Sequence, residues 1–327
     1  MANPIRHLGV LTAGDDGPGM NAAIRSAVRM GLERGWTVTG VRQGFRGLLR
    51  GDFVELGSRS VSHIIEVGGT FLGTSSGDIV EDEARLADAL EALRDEGIDG
   101  LVVIGGRRAL EAARALDQGG MPTVGVPASS ENDIWGIDVA IGVDTALNTA
   151  IDAIDHIQDT ALSQNKAFVI EVMGQRSGYL TLMAGIAGGA EVTCIAEAPF
   201  DLEGVAQEVA AAYRRDKEHC LVVVAEGAEP DAHAILDYLT EHQDETGFEA
   251  NLTMLSQLQR GGTPTANDRF LATRLGAAAI QALADGQHGI MVGVRENRLV
   301  YRSLADVIAR EREIDPSYLE LATTLAR

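Results

Sequence analysis

The sequence predicts an α/β fold of two doubly wound, Rossmann-like domains with parallel sheets. Short apolar runs alternate with amphipathic helical stretches along the whole chain. Several of the runs stop at glycine-rich turns, where open α/β sheets present ligands at the carboxyl ends of strands. The 327 residues are 45% hydrophobic but only 4% aromatic, enough for two domains with aliphatic cores.

The elements follow in order. His7 to Thr12 reads as a strand, then a glycine-rich turn and a helix from Met20 to Arg34. Thr37 to Arg42 is a second strand, Val54 to Leu56 a short one, and Arg59 to Val67 a short helix ahead of Gly68-Gly69. Asp82 to Asp95 forms a helix, Gly100 to Ile104 a buried strand and Thr123 to Val126 another. Thr145 to Thr160 is a long helix, and Ala167 to Val172 and Leu221 to Ala225 are strands with helices between and after them. No low-complexity segment or short repeat interrupts the pattern.

A net charge of −21 and a pI near 4.6 argue against nucleic acid or an anionic membrane as partner and describe a self-repelling acidic surface. Cys194 and Cys220 form no CxxC pair, so neither a disulfide framework nor a zinc site is implied. No apolar run approaches ~20 residues and no signal peptide precedes the first strand. A cytoplasmic location is expected.

The residues with chemistry sit after strands. Leu101-Val102-Val103-Ile104 runs into Gly105-Gly106-Arg107-Arg108-Ala109. Paired glycines there open an anion-binding turn, because the backbone can approach a phosphate closely. Phosphoryl transfer normally places an acid next, to hold magnesium; two arginines stand there instead. A second turn, Thr12 to Asn21, carries Gly14, Gly17 and Gly19 just before a helix. The loop Pro127 to Ile134 holds Ser129, Glu131, Asn132 and Asp133, and a carboxylate at that place suits a hydroxyl-proton acceptor. Two more segments, Glu171 to Gly178 and Gln259 to Pro264, the latter followed by Asp268-Arg269, complete the series. Taken singly, each is an ordinary turn or polar loop.

Together and in this order they are specific. The chain resembles the bacterial ATP-dependent 6-phosphofructokinases over essentially its whole length. The resemblance is carried by Gly-Pro-Gly-Met-Asn (17–21), Gly-Gly-Thr-Phe-Leu-Gly (68–73), Val-Val-Ile-Gly-Gly (102–106), Asn-Asp-Ile (132–134), Glu-Val-Met-Gly (171–174), Ile-Ala-Gly-Gly (186–189) and Gln-Arg-Gly-Gly-Thr-Pro (259–264). It implies the phosphofructokinase fold and a homotetramer of two-domain subunits, with ATP on the larger domain and fructose 6-phosphate in the cleft. Neighbouring subunits would complete the sugar-phosphate pocket and effectors would bind at another interface. The expected division is 1–142 plus 259–309 for the larger domain and 143–258 plus 310–327 for the smaller.

Carried over position by position, the resemblance implies nucleotide contacts at Gly14, Asp15, Ser75, Gly105, Gly106, Arg107 and Arg108. Catalytic positions are Arg107, Ser129, Glu131 and Asp133. Sugar-phosphate contacts fall at Lys166, Met173, Gly174, Gln175, Glu226, Asn251, Gln257 and Arg260, and effector contacts at Arg25, Arg29, Arg59 and Glu191. Several residues depart from the family pattern. Asp15 replaces a glycine, placing a like charge against the ATP phosphates at a cost of roughly 4 kcal/mol at ~4 Å before screening. Arg107 replaces the acid that supports Mg2+; arginine offers donors only and cannot ligate a cation, although its charge suits a direct grip on a phosphate. Glu131 replaces the base aspartate, and its extra methylene displaces the carboxylate by about an ångström, an error that can lower a rate ~10²-fold. Lys166, Gln175, Asn251, Gln257 and Ser75 replace stronger phosphate ligands. Arg108 and Ala128 do not match the pyrophosphate-dependent branch, and Gln158 and the Ser58-Arg59 pair depart from the family at the effector site.

These substitutions favour a catalytically impaired or silent homologue that binds small phosphorylated ligands or regulates. The alternative is an active ATP-dependent 6-phosphofructokinase, or a kinase redirected to another sugar phosphate. The resemblance implies ATP and Mg2+ as cofactors, with Arg107 arguing against the metal. Assembly with an active paralogue is a further expectation.

Overall fold

The computed structural model describes residues 5–75 and 79–326. The chain folds as two compact units. The larger comprises residues 1–130, 134–145 and 260–312, and the smaller 131–133, 146–259 and 313–327.

In chain order the elements begin with β1 (His7–Ala13), α1 (Met20–Glu33), β2 (Thr37–Val41), α2 (Gly44–Leu48), β3 (Phe53–Glu55), α3 (Glu83–Asp95), β4 (Gly100–Gly105), α4 (Arg107–Gln118) and β5 (Thr123–Pro127). Helix α5 (Val143–Gln164) leaves the larger unit. The smaller unit contributes β6 (Lys166–Val172), α6 (Tyr179–Ala187), β7 (Val192–Cys194), α7 (Leu202–Arg214), β8 (Cys220–Ala225), α8 (Ala232–Glu241), α9 (Gln243–Thr246) and β9 (Glu249–Met254). The chain returns through α10 (Ala266–Ala284), β10 (Ile290–Arg295), β11 (Arg298–Ser303) and α11 (Leu304–Ala309), and closes with α12 (Pro316–Leu325) in the smaller unit.

The larger unit's sheet runs β11-β10-β5-β4-β1-β2-β3. Strand order reverses between β1 and β4, so their carboxyl ends flank the crevice where doubly wound sheets bind ligands. The central strands are continuous apolar runs because helices cover both faces; all six residues of β4 are buried. Met20, Ile24 and Val28 of α1 pack with Ala272, Leu275 and Ala279 of α10 in one core with Val10 and Val102. Each large aliphatic side chain so buried contributes about 1.5–3 kcal/mol.

The larger unit's sheet is parallel through its centre, as expected, and antiparallel at its two edges, where β3 pairs with β2 and β11 with β10. These two strands form the edges of the sheet, β3 with only three residues. The helix expected over Arg59 to Val67 is absent. That stretch is a series of turns in which Ser60 Oγ accepts from Gly57 N (3.1 Å), Ser62 Oγ donates to Ser58 O (3.2 Å) and His63 adopts φ +59°. Helix α5 is longer than expected at both ends.

The smaller unit's sheet is entirely parallel, in the order β7-β8-β6-β9. One face packs on α7 and α8 through Val205, Val209, Ile235 and Leu239. The other packs on α5 and α6 through Ile154, Leu180 and Ala184.

A fully buried carboxylate fixes the start of α5 within the larger unit. Asp268 accepts from Gly142 N (2.8 Å), Thr145 N (2.8 Å) and Thr145 Oγ1 (2.6 Å). Burial pushes its pKa up, and the bonds from Thr145 and Gly142 oppose that rise. Asp268→Ala leaves these donors without an acceptor. It is expected to lower stability by about 2–4 kcal/mol, seen as a fall in the midpoint of the first urea transition.

Candidate functional site

In the larger unit the turns after β1 and β4 come side by side, because Ala13 and Gly105 are register partners. Glycine is required at 105: a Cβ there would lie 2.2 Å from Ala13 O and 2.6 Å from Ala109 Cβ. The first amides of α4 follow at once, giving the turn the donors and dipole of a helix N-terminus. The turn after β1 is braced from the far side. Gly14 N donates to Ser75 O (3.1 Å) and Thr74 Oγ1 donates to Gly14 O (2.6 Å). Ser75 Oγ accepts from Arg46 N (3.1 Å), so the hydroxyl serves α2.

Other glycine motifs act as braces too. Buried Asn21 donates to Val67 O (2.9 Å) and accepts from Phe71 N (2.6 Å), pinning the Gly68–Gly73 loop to α1. A Cβ on Gly68 would lie 2.2 Å from Gly262 O, so that loop presses on the turn holding Gly261-Gly262. Arg260, at the start of that turn, pairs with Asp15 at 2.5 Å.

Arg107 is turned to a different task. Its guanidinium donates to the carbonyls of Ile308 and Arg310, the latter at 2.9 Å, and lies 3.5 Å from Glu111. It therefore satisfies the carbonyls at the C-terminal end of α11. The same segment is held twice more. The Arg310 guanidinium lies 4.5 Å from the Trp135 ring, and Arg312 donates to Ile137 O (2.6 Å) and Asp138 O (2.8 Å). Arg108 lies exposed beside it on α4.

In the smaller unit, Glu131 accepts from Arg176 N at 3.0 Å, which orients its carboxylate, and Asn132 beside it is buried with φ +54°. Strands β6 and β8 end together at Val172 and Ala225, so Met173, Gly174 and Gln175 lie beside Glu226. Glu226 N donates to Val172 O (3.0 Å) and Gly227 N to Gly174 O (3.1 Å). Fully buried Gln259 accepts from Met173 N at 2.8 Å, while neighbouring Gln257 is exposed. Lys166 and Asn251 do not join this group. They lie two register positions apart on one face near the amino ends of β6 and β9, and Lys166 pairs with Glu249 at 2.7 Å.

Of the expected effector residues, Arg25 and Arg29 lie one turn apart on α1 and Arg59 lies in the exposed turn series. Glu191 belongs to the smaller unit, where it accepts from Lys217 Nζ (2.7 Å) and Leu221 N (2.7 Å). Cys194 and Cys220 are buried; burial pushes the Cys194 thiol up to about 12 and Cys220 well above its usual value. Sequence reasoning missed Asn21 and Asp268 as organisers of the site, although each stands within or next to a motif it singled out. A buried polar residue beside a glycine motif was the available signal.

The phosphofructokinase family pattern matches residues 7–283. The chain belongs to this family. An ATP-dependent 6-phosphofructokinase 1 of Thermus thermophilus is 46% identical over 98% of this chain and its own full length. An ATP-dependent 6-phosphofructokinase of Brevibacillus brevis is 44% identical over the same shares. Among solved structures, phosphofructokinase from Pichia pastoris in the T-state aligns with TM-score 0.89 and 30% identity, covering 99% of this chain and 37% of that one. The Saccharomyces cerevisiae protein gives 0.85 and 30%, covering 98% and 48%. This phosphofructokinase-family chain thus spans less than half of each yeast chain.

Glu171, buried at the end of β6, carries a raised pKa, chiefly from burial and then from Glu226, with Asp231 adding and His233 opposing. A carboxyl raised in the folded state contributes stability while protonated and loses it as pH rises through the folded value. The isosteric Glu171→Gln removes that loss. The variant's melting temperature should exceed the parent's at pH 7.5, and the gap should close toward pH 4, as read by calorimetry.

Proposed function

We propose that the chain transfers a phosphoryl group from ATP to fructose 6-phosphate or a close sugar-phosphate relative. The observation that carries this is end-to-end identity of 42–46% with proteins that all bear the name ATP-dependent 6-phosphofructokinase. The retained glycine turns of β1 and β4 and the oriented Glu131 support it. In this reading Gly14, Gly105, Gly106 and the first amides of α4 receive the nucleotide phosphates. Glu131, fixed by the Arg176 amide, takes the proton of the attacking hydroxyl, and Ser129 and Asp133 frame it. Met173, Gly174, Gln175 and Glu226 line the sugar-phosphate side, which Gln257 extends, while Lys166 and Asn251, away from that group, complete the phosphate pocket of a neighbouring subunit. A homotetramer, or a mixed assembly with an active paralogue, is proposed on the same resemblance; exposed Phe270 and Leu258 support a covered surface.

The residues present do not fit a protein-held Mg2+. Arg107 has no acceptor, Asp15 is paired with Arg260, and no three Asp, Glu, His or Cys side chains gather to hold an ion among the described residues. Mg2+ enters this reading as part of the MgATP substrate, where it stays on the phosphates and its waters and neutralises their charge. No step is assigned to an ion on the protein.

A second reading, binding without turnover, is favoured by one observation: Arg107 is held by carbonyls of the α11 end, so position 107 supplies neither an acid nor a loose cation to the β4 turn. One experiment separates the two. Phosphorus NMR of the purified protein with MgATP and fructose 6-phosphate should show fructose 1,6-bisphosphate, formed below the ~1–100 s⁻¹ usual for kinases. Glu131→Gln should slow it by at least ~10²-fold. Absence of product over hours overturns the first reading in favour of the second. Arg107→Asp, which sets a carboxylate against two carbonyl oxygens, should lower the melting temperature more than Arg107→Ala does in a thermal scan.

A further inference from the structure

Arg260 is an incompletely satisfied cation. Its side chain is four-fifths buried, one guanidinium corner meets Asp15, and its buried Nε has no hydrogen-bond acceptor among the described residues. A buried N–H without an acceptor is costly, and the Nε edge of a guanidinium matches an oxyanion in two-point fashion. Asp15 is its opposite: 70% exposed, on a turn between Gly14 and Gly17, with only one corner of the fork engaged. A carboxylate so placed neutralises the guanidinium without completing its bonding. Most of its surface faces solvent, where a competing anion can reach the pair.

We propose that Asp15 is an internal anion that occupies Arg260 until the phosphate of a ligand displaces it, which makes Asp15 a specificity-determining residue of the site. The choice of ligand, a phosphate monoester, rests on the phosphotransferase reading; the displacement itself does not. A doubly charged phosphate offers the oxygens that the Nε edge lacks. A singly charged or neutral ligand cannot compete with Asp15 as well. Removing the Asp15 charge should therefore tighten phosphate binding even though no contact to the ligand is added.

The test is isothermal titration of the full-length protein at low ionic strength, with fructose 6-phosphate in one arm and ATP in the other. Asp15→Asn and Asp15→Gly should each tighten binding about tenfold in the arm whose phosphate meets Arg260, which identifies the source of that phosphate. The gain should shrink at high salt and vanish in an Arg260→Met background. Unchanged affinity in both folded Asp15 variants, a gain that persists without Arg260, or no binding by any variant overturns the proposal. Turnover is followed in parallel. Tighter binding without product retains this inference and rejects phosphoryl transfer; product with affinity indifferent to Asp15 does the reverse.

Discussion

The architecture of the larger unit depends on a reciprocal clamp between two helix starts. Asp268, in the first turn of α10, accepts the amide and hydroxyl of Thr145 at the head of α5. Thr265, just ahead of α10, accepts from Asp268 N (3.2 Å) and donates to Asp144 at 2.5 Å, while its own amide donates to Thr145 Oγ1 (3.1 Å). Asp268 caps the start of α5, while α10 is capped by its own Thr265, whose amide and hydroxyl are in turn held by α5. The clamp sits beside two of the points at which the chain changes unit, 145/146 and 259/260. It therefore sets where each departure begins, and the Gly261-Gly262 turn and Arg260 inherit their position from it.

On this frame the glycine motifs have two duties. Gly14 turns the chain at φ +82°, where a side chain would be strained, and Gly105 lets the end of β4 pass against Ala13 and Ala109. Those at Gly68 and Gly262 allow loops to touch, and Asn21 ties the first loop to α1 with both ends of its amide. A buried amide satisfied at both ends is rigid, because either bond lost strands a polar group in the core. The turn after β1 and the loops around it are thus fixed by polar contacts among loops as much as by the strands that precede them.

The strands at the centre of each sheet were legible because Leu101–Ile104, Ala167–Ile170 and Leu221–Ala225 are unbroken apolar runs, the mark of strands covered on both faces. Strand β10 and the edge strand β11 beside it were not. β11 alternates exposed and half-buried residues, and its charged ends resemble a loop. At Arg59–Val67, local serine bonds outcompete the helix that the composition suggests. In the site, the order of the turns could be read from glycine spacing, and so could the charge of Arg107. Its partners could not: Ile308 and Arg310 lie 201 and 203 residues away, and backbone carbonyls carry no sequence signature. The Arg260–Asp15 pair escaped for the same reason, since spacing along the chain says nothing about contacts between distant loops.

The bracing of the α11 end bears on how such a site can change over generations. Arg107 supports a segment that Trp135 and Arg312 also hold, so the position has a mechanical function. An acid placed there would weaken the protein unless a second change relieved the carbonyls at the α11 end. The residue that opens α4 and the segment that ends α11 thus form one mechanical unit, and a change at one is felt at the other.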